Sequence, residues 1–220
     1  MEKSIENIWK EGFLEGDALV APKINNLYSQ KSIHIIDKFK RMFRINLIAI
    51  VAFSFAFLIV SFFVGIPITG IIFFVTLSVL VFINKKLLND LEKIDLGISS
   101  YQYLKAFNQW VNKQIAINKK MSRFLYPIIF MSLILGFWFK DAQGMPLGER
   151  LVGEILVGFP ETYLIFGIPL IGIVLVAVII CLLALVGGRI YKWDLNLVYG
   201  RIFKKLEELM TDIELSLIHI

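Results

Sequence analysis

The sequence contains few of the residues from which most catalytic and metal sites are built. Its 220 residues include one cysteine, Cys181, and two histidines, His34 and His219. One cysteine cannot form an intramolecular disulfide, and Cys181 lies in an apolar run, where a thiol packs as a small apolar group. Zinc needs several converging ligands, so these residues predict no metal site. We expect His34 to lie at the protein surface or at a membrane interface.

The longest apolar runs also lack charge. Residues 45–64, 68–83, 124–139 and 163–186 contain no Asp, Glu, Lys, Arg or His. Ionisable residues inside membranes mark proton relays, ion pathways and substrate sites, so their absence argues against an ion-coupled transporter or pump. No Gly-rich phosphate loop follows a predicted strand, and no acid, base or nucleophile stands out. We therefore predict no catalytic, cofactor-binding or metal-binding residues and no enzymatic activity.

The same four runs predict membrane-spanning helices. Hydrophobic residues make up 57% of the chain, above the roughly 45–50% of a soluble domain, and the mean hydropathy is +0.73. A hydrocarbon core about 30 Å thick needs roughly 20 helical residues, which the runs match or approach. The first run starts too far along the chain for a cleaved signal peptide. We predict an all-α membrane protein with four transmembrane helices.

Proline and glycine punctuate these runs. The breakers at residues 65–67 predict a tight hairpin within 45–83, because one continuous kinked helix would be about 58 Å long, about twice the core. The third run is the shortest, with Pro127 expected in its first turn, and a re-entrant or interfacial helix is the alternative to a full span. In the fourth run we expect a kink at Pro169 and a helix end at the glycines 187–188.

The distribution of Lys and Arg predicts the orientation. Segments 1–44, 84–123, 140–162 and 187–220 carry 8, 8, 2 and 5 of these residues. Cytoplasmic loops are rich in Lys and Arg, so 140–162 is predicted to be the outward loop between the spans of 124–186. The other three segments, and with them both termini, are predicted to lie in the cytoplasm. The location is then the inner (plasma) membrane.

The three cytoplasmic segments show helical periodicity. A helix is expected to begin at Ser99 or Ser100, with Ser99 and Gln102 as a capping box. These amphipathic helices either pack on one another and extend the bundle, or lie on the anionic inner leaflet. Their apolar faces consist of Ile5, Ile8, Trp9 and Phe13, then Ile24, Leu27, Tyr28, Ile35 and Phe39; of Leu87, Leu88, Leu91 and Ile94, then Tyr101, Leu104, Phe107, Val111 and Ile115; and of Ile202, Phe203, Leu206, Leu209, Met210 and Ile213.

The charge of the central segment bears on partners. Residues 84–123 have a net charge of +5, from eight basic residues against Asp90, Glu92 and Asp95. Anionic lipid head groups account for this excess. The basic residues are dispersed and no nucleic-acid-reading module is visible, so we expect no nucleic acid. Membrane lipids and a cytoplasmic protein are the expected partners.

Small residues recur along the first and fourth spans. They are Ala49, Ala52 and Ala56, and Gly172, Ala177, Cys181, Ala184 and Gly188. Such stripes permit close helix approach in lipid. They predict packing within the monomer, with a homo-oligomer face as the alternative.

The outward loop has its own apolar cluster. Leu151, Val152, Ile155 and Leu156 predict a short helix at the outer interface within residues 147–159. Glu149, Arg150 and Glu154 are then expected to face water.

Short stretches at both ends carry a resemblance. Asn7-Ile8-Trp9-Lys10, Leu27-Tyr28 and Lys31-Ser32-Ile33, with Tyr199-Gly200-Arg201 and Lys204-Lys205-Leu206-Glu207-Glu208-Leu209, are similar to those of a group of uncharacterised small membrane proteins of Bacteroidetes-type bacteria. These proteins are multi-pass, and some resemble the membrane partners encoded beside extracytoplasmic-function sigma factors. The resemblance implies an inner-membrane location and a regulatory role, and it assigns no functional residue.

The final residues depart from the pattern before them. Residues 215–220 break the charged amphipathic repeat and resemble the translated read-through of a sequencing adapter. On that interpretation the end of the chain is artificial, and His219 has no functional meaning.

Two functional hypotheses follow. The first is a membrane-embedded regulatory or scaffold protein that acts through the cytoplasmic helices. The alternative is a small oligomeric transporter, channel or lipid-handling protein. The uncharged spans favour the first, so the segments 1–44, 85–120 and 196–214 are where we expect function.

Overall fold

A computed structural model describes the backbone of residues 5–94 and 99–218, and the side chains of residues 30–94 and 99–215. The chain is 87% helical, and two hairpins of two-residue strands interrupt the helices. In chain order the elements are α1 (Ile5–Val64), α2 (Pro67–Glu92), α3 (Ser100–Trp138), β1 (Asp141–Ala142), β2 (Met145–Pro146), α4 (Leu147–Gly158), β3 (Leu164–Ile165), β4 (Ile168–Pro169) and α5 (Leu170–Ile218).

Four helices are long and apolar enough to cross a membrane: Gln30–Val64 of α1, Pro67–Glu92, Ser100–Trp138 and Leu170–Leu215 of α5. The prediction of an all-α chain with four such helices is confirmed. Each apolar run continues without a break into one of the amphipathic segments. The helices α1, α2, α3 and α5 pack in that order and close into a bundle, because α5 also contacts α1.

The turn between α1 and α2 occupies two residues. Gly65 has a φ of +81°, a left-handed conformation that glycine adopts without a steric cost. The Ile66 N–H donates to the Ser61 carbonyl at 2.8 Å. Pro67 opens α2, where its missing N–H would have had no helical partner. The chain therefore forms two antiparallel helices here and not one kinked helix.

Helix α3 merges two elements that the sequence separates. It begins after Ser99, whose hydroxyl accepts from the Gln102 N–H at 3.3 Å, so the predicted N-cap is present. It then runs unbroken to Trp138. The expectation that Pro127 lies in a first turn is wrong, because Pro127 is deep inside this helix.

The fourth apolar run does not begin as a helix. Residues 163–169 form the β3–β4 hairpin, in which Leu164 pairs with Pro169 and Ile165 with Ile168. Phe166 and Gly167, with φ of +52° and +78°, make its turn. A helical start near residue 163 and a kink at Pro169 were therefore wrong predictions, since α5 begins after the hairpin, at Leu170.

The glycines 187 and 188 do not end α5. They lie inside it and face α3: a Cβ at Gly187 would stand 2.8 Å from the Ser122 carbonyl oxygen, and one at Gly188 would stand 2.8 Å from Lys119 Cγ. They allow α5 to approach α3 closely, so the helix end predicted at these glycines is wrong. At Gly172 an added Cβ would meet nothing within 4 Å.

The polar ends of the helices share one hydrophobic cluster, the basal core. Phe39 of α1 is at its centre, with ring-centroid distances of 5.4 Å to Phe107, 5.8 Å to Trp110 and 5.1 Å to Tyr199. The Trp110 indole donates to the Leu87 carbonyl at 2.8 Å and so connects α3 to α2. The buried members are Ile36, Phe39, Phe43, Leu47, Leu87, Leu88, Leu91, Tyr103, Leu104, Phe107, Trp110, Val111, Leu195, Tyr199, Ile202, Leu206, Leu209 and Ile213.

The basal core uses the predicted apolar faces. From Phe39 onward, every face residue in the described part of the chain is either buried in the cluster or packed against it. Of the two fates weighed for these segments, mutual packing is the one that the bundle adopts. The faces predicted at residues 5–28 lie outside the described side chains, as do residues 216–220.

The other half of the bundle, the apolar half (residues 45–83, 124–139 and 170–186), has a different interior. Its helices meet through small and hydroxyl-bearing residues, and α1 and α2 also through the half-buried rings of Phe57 and Phe73, whose centroids are 4.5 Å apart. The Thr69 hydroxyl donates to the Ser132 carbonyl at 2.7 Å, and a Cβ on Gly70 would come within 1.8 Å of Ser61 Oγ. Most of the large side chains point outward, and Phe63 is 86% exposed.

The predicted alanine stripe is not an interior face. Ala49, Ala52 and Ala56 are exposed, as is Cys181. The interior of α1 uses Ser54 and Ser61 instead. Of the two small-residue stripes, only the end of the second, at Gly188, mediates close packing within the monomer.

Helix α4 packs against the C-terminal end of α3. Gly148 packs on the Trp138 ring, where an added Cβ would stand 2.3 Å from the nearest ring carbon. Val152 is buried, whereas Leu151 and Ile155 are exposed. Arg150 is half-buried and pairs with exposed Glu154 at 3.2 Å.

At the border between the two halves, α2 and α3 are joined by a reciprocal amide pair. Asn84 Nδ2 donates to Asn118 Oδ1 at 2.9 Å, and Asn118 Nδ2 returns a bond to Asn84 Oδ1 at 3.0 Å. Each amide also donates to its own helix, to the carbonyls of Leu80 and Gln114. Both side chains are buried, and both are fully hydrogen-bonded.

We expect Gly187→Val to destabilise the bundle, because the new side chain must displace the α3 backbone. Overpacking of this kind costs about 1–3 kcal/mol. Gly172→Val introduces the same residue on the same helix where space is open, and it serves as the control. Unfolding of the purified protein in detergent, followed by circular dichroism, measures both. Equal stability of the two variants would contradict the close approach.

We expect Asn84→Leu or Asn118→Leu alone to cost about 1–3 kcal/mol of unfolding free energy, because each leaves a buried amide without its partner. The double replacement leaves no orphaned group and should cost less than the sum of the single changes. A double-mutant cycle on unfolding free energies tests this. Strict additivity would mean that the pair is not coupled.

Candidate functional site

Metal and thiol chemistry find no support among the described residues. No group of three or more His, Cys, Asp or Glu side chains there could hold a metal ion. His34 lies on the surface of α1, as expected, whereas His219 lies outside the described residues. Surface shape and charge are the features that distinguish a candidate site among these residues.

A groove runs along the basal half between α3 and α5. These helices are antiparallel, and the glycines 187 and 188 bring them together near the border. There the Gln114 amide and the Tyr191 hydroxyl lie 3.1 Å apart and hydrogen-bond. Further down, the two helices border a groove of about 490 Å³. We call it the α3–α5 groove; its lining residues are Leu104, Phe107, Asn108, Val111, Asn112, Ile115, Phe203, Leu206, Glu207, Met210, Thr211 and Glu214.

The groove is apolar at its base and polar at its edge. Leu104, Phe107, Val111 and Leu206 form its floor and belong to the basal core. Its walls are Ile115, Phe203 and Met210, which are half-buried and still partly open to solvent. The edge carries Asn108 and Asn112 from α3 and the exposed polar residues of α5. A groove with an apolar floor and a polar edge fits an amphipathic peptide segment and not a small polar substrate.

Among the described side chains, the only charged residues that line the groove are acidic. Glu207 and Glu214 are seven residues apart, two turns along one side of α5. The Tyr101 hydroxyl of α3 donates to Glu214 Oε1 at 3.3 Å and positions this carboxylate at the lower end. Lys204 pairs with Glu208 at 4.0 Å, and neither residue lines the groove. The edge therefore has negative charge on a protein whose formal net charge is +5.

The length of the groove can be read from its helices. Leu104 to Ile115 on α3 and Phe203 to Glu214 on α5 each span eleven helical steps, or about 16 Å at 1.5 Å per residue. That length corresponds to about three turns of a helix lying in the groove.

Below the groove, Tyr103 is an unusual buried residue. Within the described part of the chain its hydroxyl has no hydrogen-bond partner. Burial, and to a lesser extent the negative charge of Asp37, raises the pKa of Tyr103 above the usual value of a phenol. The phenol therefore stays neutral, and it packs as a core residue.

Sequence reasoning located the two helices of the groove but not the groove itself. The apolar stripes on residues 101–115 and 202–213 predicted faces that pack, and most of each face does so. Neither Glu207 nor Glu214 was predicted to belong to a site. The i, i+7 spacing of Glu207 and Glu214 beside Phe203 and Met210 is the signal that was available for an acidic edge next to an apolar wall.

Comparisons with known proteins add no identity. No family model, no curated protein and no solved structure matches this chain. The resemblance to small multi-pass proteins of Bacteroidetes-type bacteria stays a prediction.

Proposed function

We propose that this protein is a multi-pass inner-membrane scaffold or regulatory protein whose α3–α5 groove binds an amphipathic, basic helix of a cytoplasmic partner. The observation that carries the proposal is the α3–α5 groove itself. It is about three helical turns long, its floor is the apolar basal core, and the charged residues in its described lining are both acidic.

The membrane setting is supported by the two kinds of interior. In the apolar half most of the large side chains face outward and the hydroxyl and glycine residues face inward. In water this would leave a large exposed apolar surface. In lipid, helices associate through small residues and interhelical hydrogen bonds, which Thr69 with Ser132 provides.

The proposed orientation places the basal core in the cytoplasm. The segments that build it carry most of the 23 Lys and Arg residues, whereas 140–162 carries two. The positive-inside rule then puts α4 and both hairpins on the outer side. The groove would face the cytoplasm, where a soluble partner can reach it.

The chemistry of the groove selects the partner. Half-buried Ile115, Phe203 and Met210 offer apolar contacts to residues spaced i, i+3, i+4 and i+7 on an incoming helix. Methionine adapts its shape to such a partner. Lys or Arg beside that apolar stripe would face Glu207 and Glu214, which makes the charge complementary.

Orientation is tested by labelling single cysteines in a Cys181→Ser background. Glu161→Cys lies in the proposed outer loop and Lys205→Cys on the basal half, and both positions are exposed. We expect a membrane-impermeant maleimide to label Glu161→Cys in intact spheroplasts, and to label Lys205→Cys only after lysis. The reverse pattern would overturn the orientation.

Docking is tested with a synthetic peptide of about three turns that carries Leu at i, i+3, i+4 and i+7 flanked by Lys. We expect it to bind the full-length protein in detergent, and Glu207→Gln with Glu214→Gln to weaken binding by about twofold to thirtyfold, since each of the two exposed charge pairs contributes about 0.2–1 kcal/mol. Asp212→Asn removes an exposed carboxylate from the opposite side of α5 and should change nothing.

A second measurement locates the peptide. A photo-crosslinking residue at position 210 is expected to capture it, whereas one at position 205, on the other side of α5, should not. Binding that is unaffected by the glutamine changes, or equal capture at both positions, would remove the groove from the proposal. Circular dichroism of each variant verifies that the helices are intact.

A further inference from the structure

A second cavity lies at the border between the apolar half and the basal core. It has a volume of about 170 Å³, is lined by residues of α1, α2, α3 and α5, and is partly open to the surface, where Asp194 is exposed. Liquid water occupies about 30 Å³ per molecule, so the cavity has room for about five waters or a small polar head group. We call it the border cavity. It is separate from the α3–α5 groove and shares no lining residue with it.

Aromatic rings and one carboxylate define its chemistry. Phe43, Tyr126, Tyr191 and Tyr199 line it, and Asp194 is the only charged residue among the described residues that do so. Rings of this type attract cations through their negative faces, and groups of them bind quaternary and other ammonium ions. No cationic side chain lines the cavity to occupy that position itself.

The charge of Asp194 is uncompensated. In the described part of the chain its carboxylate makes no ion pair. Burial raises the pKa of Tyr199, the Asn46 hydrogen bond opposes that rise, and the negative charge of Asp194 adds to it. The Tyr199 phenol therefore stays neutral, and the Asp194 carboxylate is close enough to interact with it electrostatically. A cation in the cavity would meet a negative charge and neutral aromatic side chains.

The amide side chains around the cavity already have partners. Asn84 and Asn118 bond to each other, Gln114 bonds to Tyr191, and Asn46 donates to the Tyr199 hydroxyl at 3.4 Å. The polar wall is thus pre-formed and needs no rearrangement to receive a ligand. The Asn84 and Asn118 amides use both of their hydrogens in these bonds, and the one charged group in the described lining is a carboxylate, which favours a cation over an anion such as phosphate.

We propose that the border cavity binds an organic ammonium group, with Asp194 as its counter-ion and the rings of Tyr126, Tyr191 and Tyr199 as its walls. This chemistry has two sources, the ammonium of a lipid head group and a free amine. The position favours access from lipid, because Leu47, Ile50, Leu80 and Leu125 line the side toward the apolar half.

The test is thermal unfolding of the full-length protein in detergent. In one arm choline chloride is titrated against sodium chloride at equal ionic strength. In the other, micelles are doped with phosphatidylethanolamine or with phosphatidylglycerol. Because a ligand that binds the folded state raises its unfolding temperature, we expect a saturable rise with at least one ammonium compound and none with its control.

Asp194→Asn keeps the size of the side chain and removes its charge, and we expect it to weaken the apparent affinity by about tenfold or more. Asp212→Asn, another exposed carboxylate on α5, is the matched control and should leave the rise unchanged. Tyr126→Leu removes one ring with the carboxylate in place and should reduce the rise.

The outcomes separate the sources. A rise with choline assigns a site for free ammonium compounds, and a rise only with phosphatidylethanolamine assigns a head-group site. No rise in either arm, or a rise that is equal in Asp194→Asn, overturns the proposal. None of these results depends on whether the α3–α5 groove binds a helix.

Discussion

The reciprocal hydrogen bonds between Asn84 and Asn118 hold α2 and α3 in one register, in which two further polar contacts between these helices also form. A shift by one turn would leave each buried amide without its interhelical partner, although the bond to its own helix would remain. With the pair in place, Thr69 reaches the Ser132 carbonyl on one side of the border. On the other side the Trp110 indole reaches the Leu87 carbonyl. Three polar contacts thus align one pair of helices along most of its length.

The helices are held together differently on the two sides of this pair. In the basal core the hydrophobic effect acts on large rings and aliphatic side chains, with Phe39 in contact with Phe107, Trp110 and Tyr199. In the apolar half, glycine packs against serine or threonine, Phe57 contacts Phe73, and most of the large side chains point outward. Under the proposed membrane location this division is expected, since lipid gives helices no hydrophobic reason to associate. The basal core is then the part that holds the bundle closed.

Sequence patterns predicted the elements better than their ends. Helical stripes such as Leu104, Phe107 and Val111 were correct because burial on one face imposes the 3.6-residue period whatever the partner is. The turn at residues 65–67 was readable because glycine and proline there have a local function. The glycines 187 and 188 allow close approach to α3 instead. Nothing in the local sequence distinguishes a glycine that ends a helix from one that packs against a neighbouring helix. The turn at Phe166 and Gly167 was missed although Gly167-Ile168-Pro169 repeats the sequence of residues 65–67, because residues 163–166 before it are too few to form a span and the whole run was assigned to one helix.

The two candidate sites were beyond sequence reasoning for a related reason. The α3–α5 groove joins residues about one hundred positions apart, and the border cavity brings Tyr126 to Asp194 and Tyr199. Each residue taken alone is an ordinary surface acid or interfacial aromatic. Only the antiparallel packing of α3 and α5, set by two glycines and the Gln114–Tyr191 contact, makes neighbours of them.

The unbroken passage of α3 and α5 through the border has a mechanical consequence. No linker separates the apolar half of α3 or α5 from its basal half. A tilt of either helix about its packing contact, near Asn118 in α3 or Gly188 in α5, would therefore move both of its ends. From Asn118 to Leu104 the lower arm of α3 is about 21 Å long, and a tilt of about 5° moves its end by about 2 Å. A groove between two such arms would widen or narrow if the upper arms changed their inclination. Under the proposed membrane location, a change in bilayer thickness that tilts the helices would therefore change the width of the α3–α5 groove.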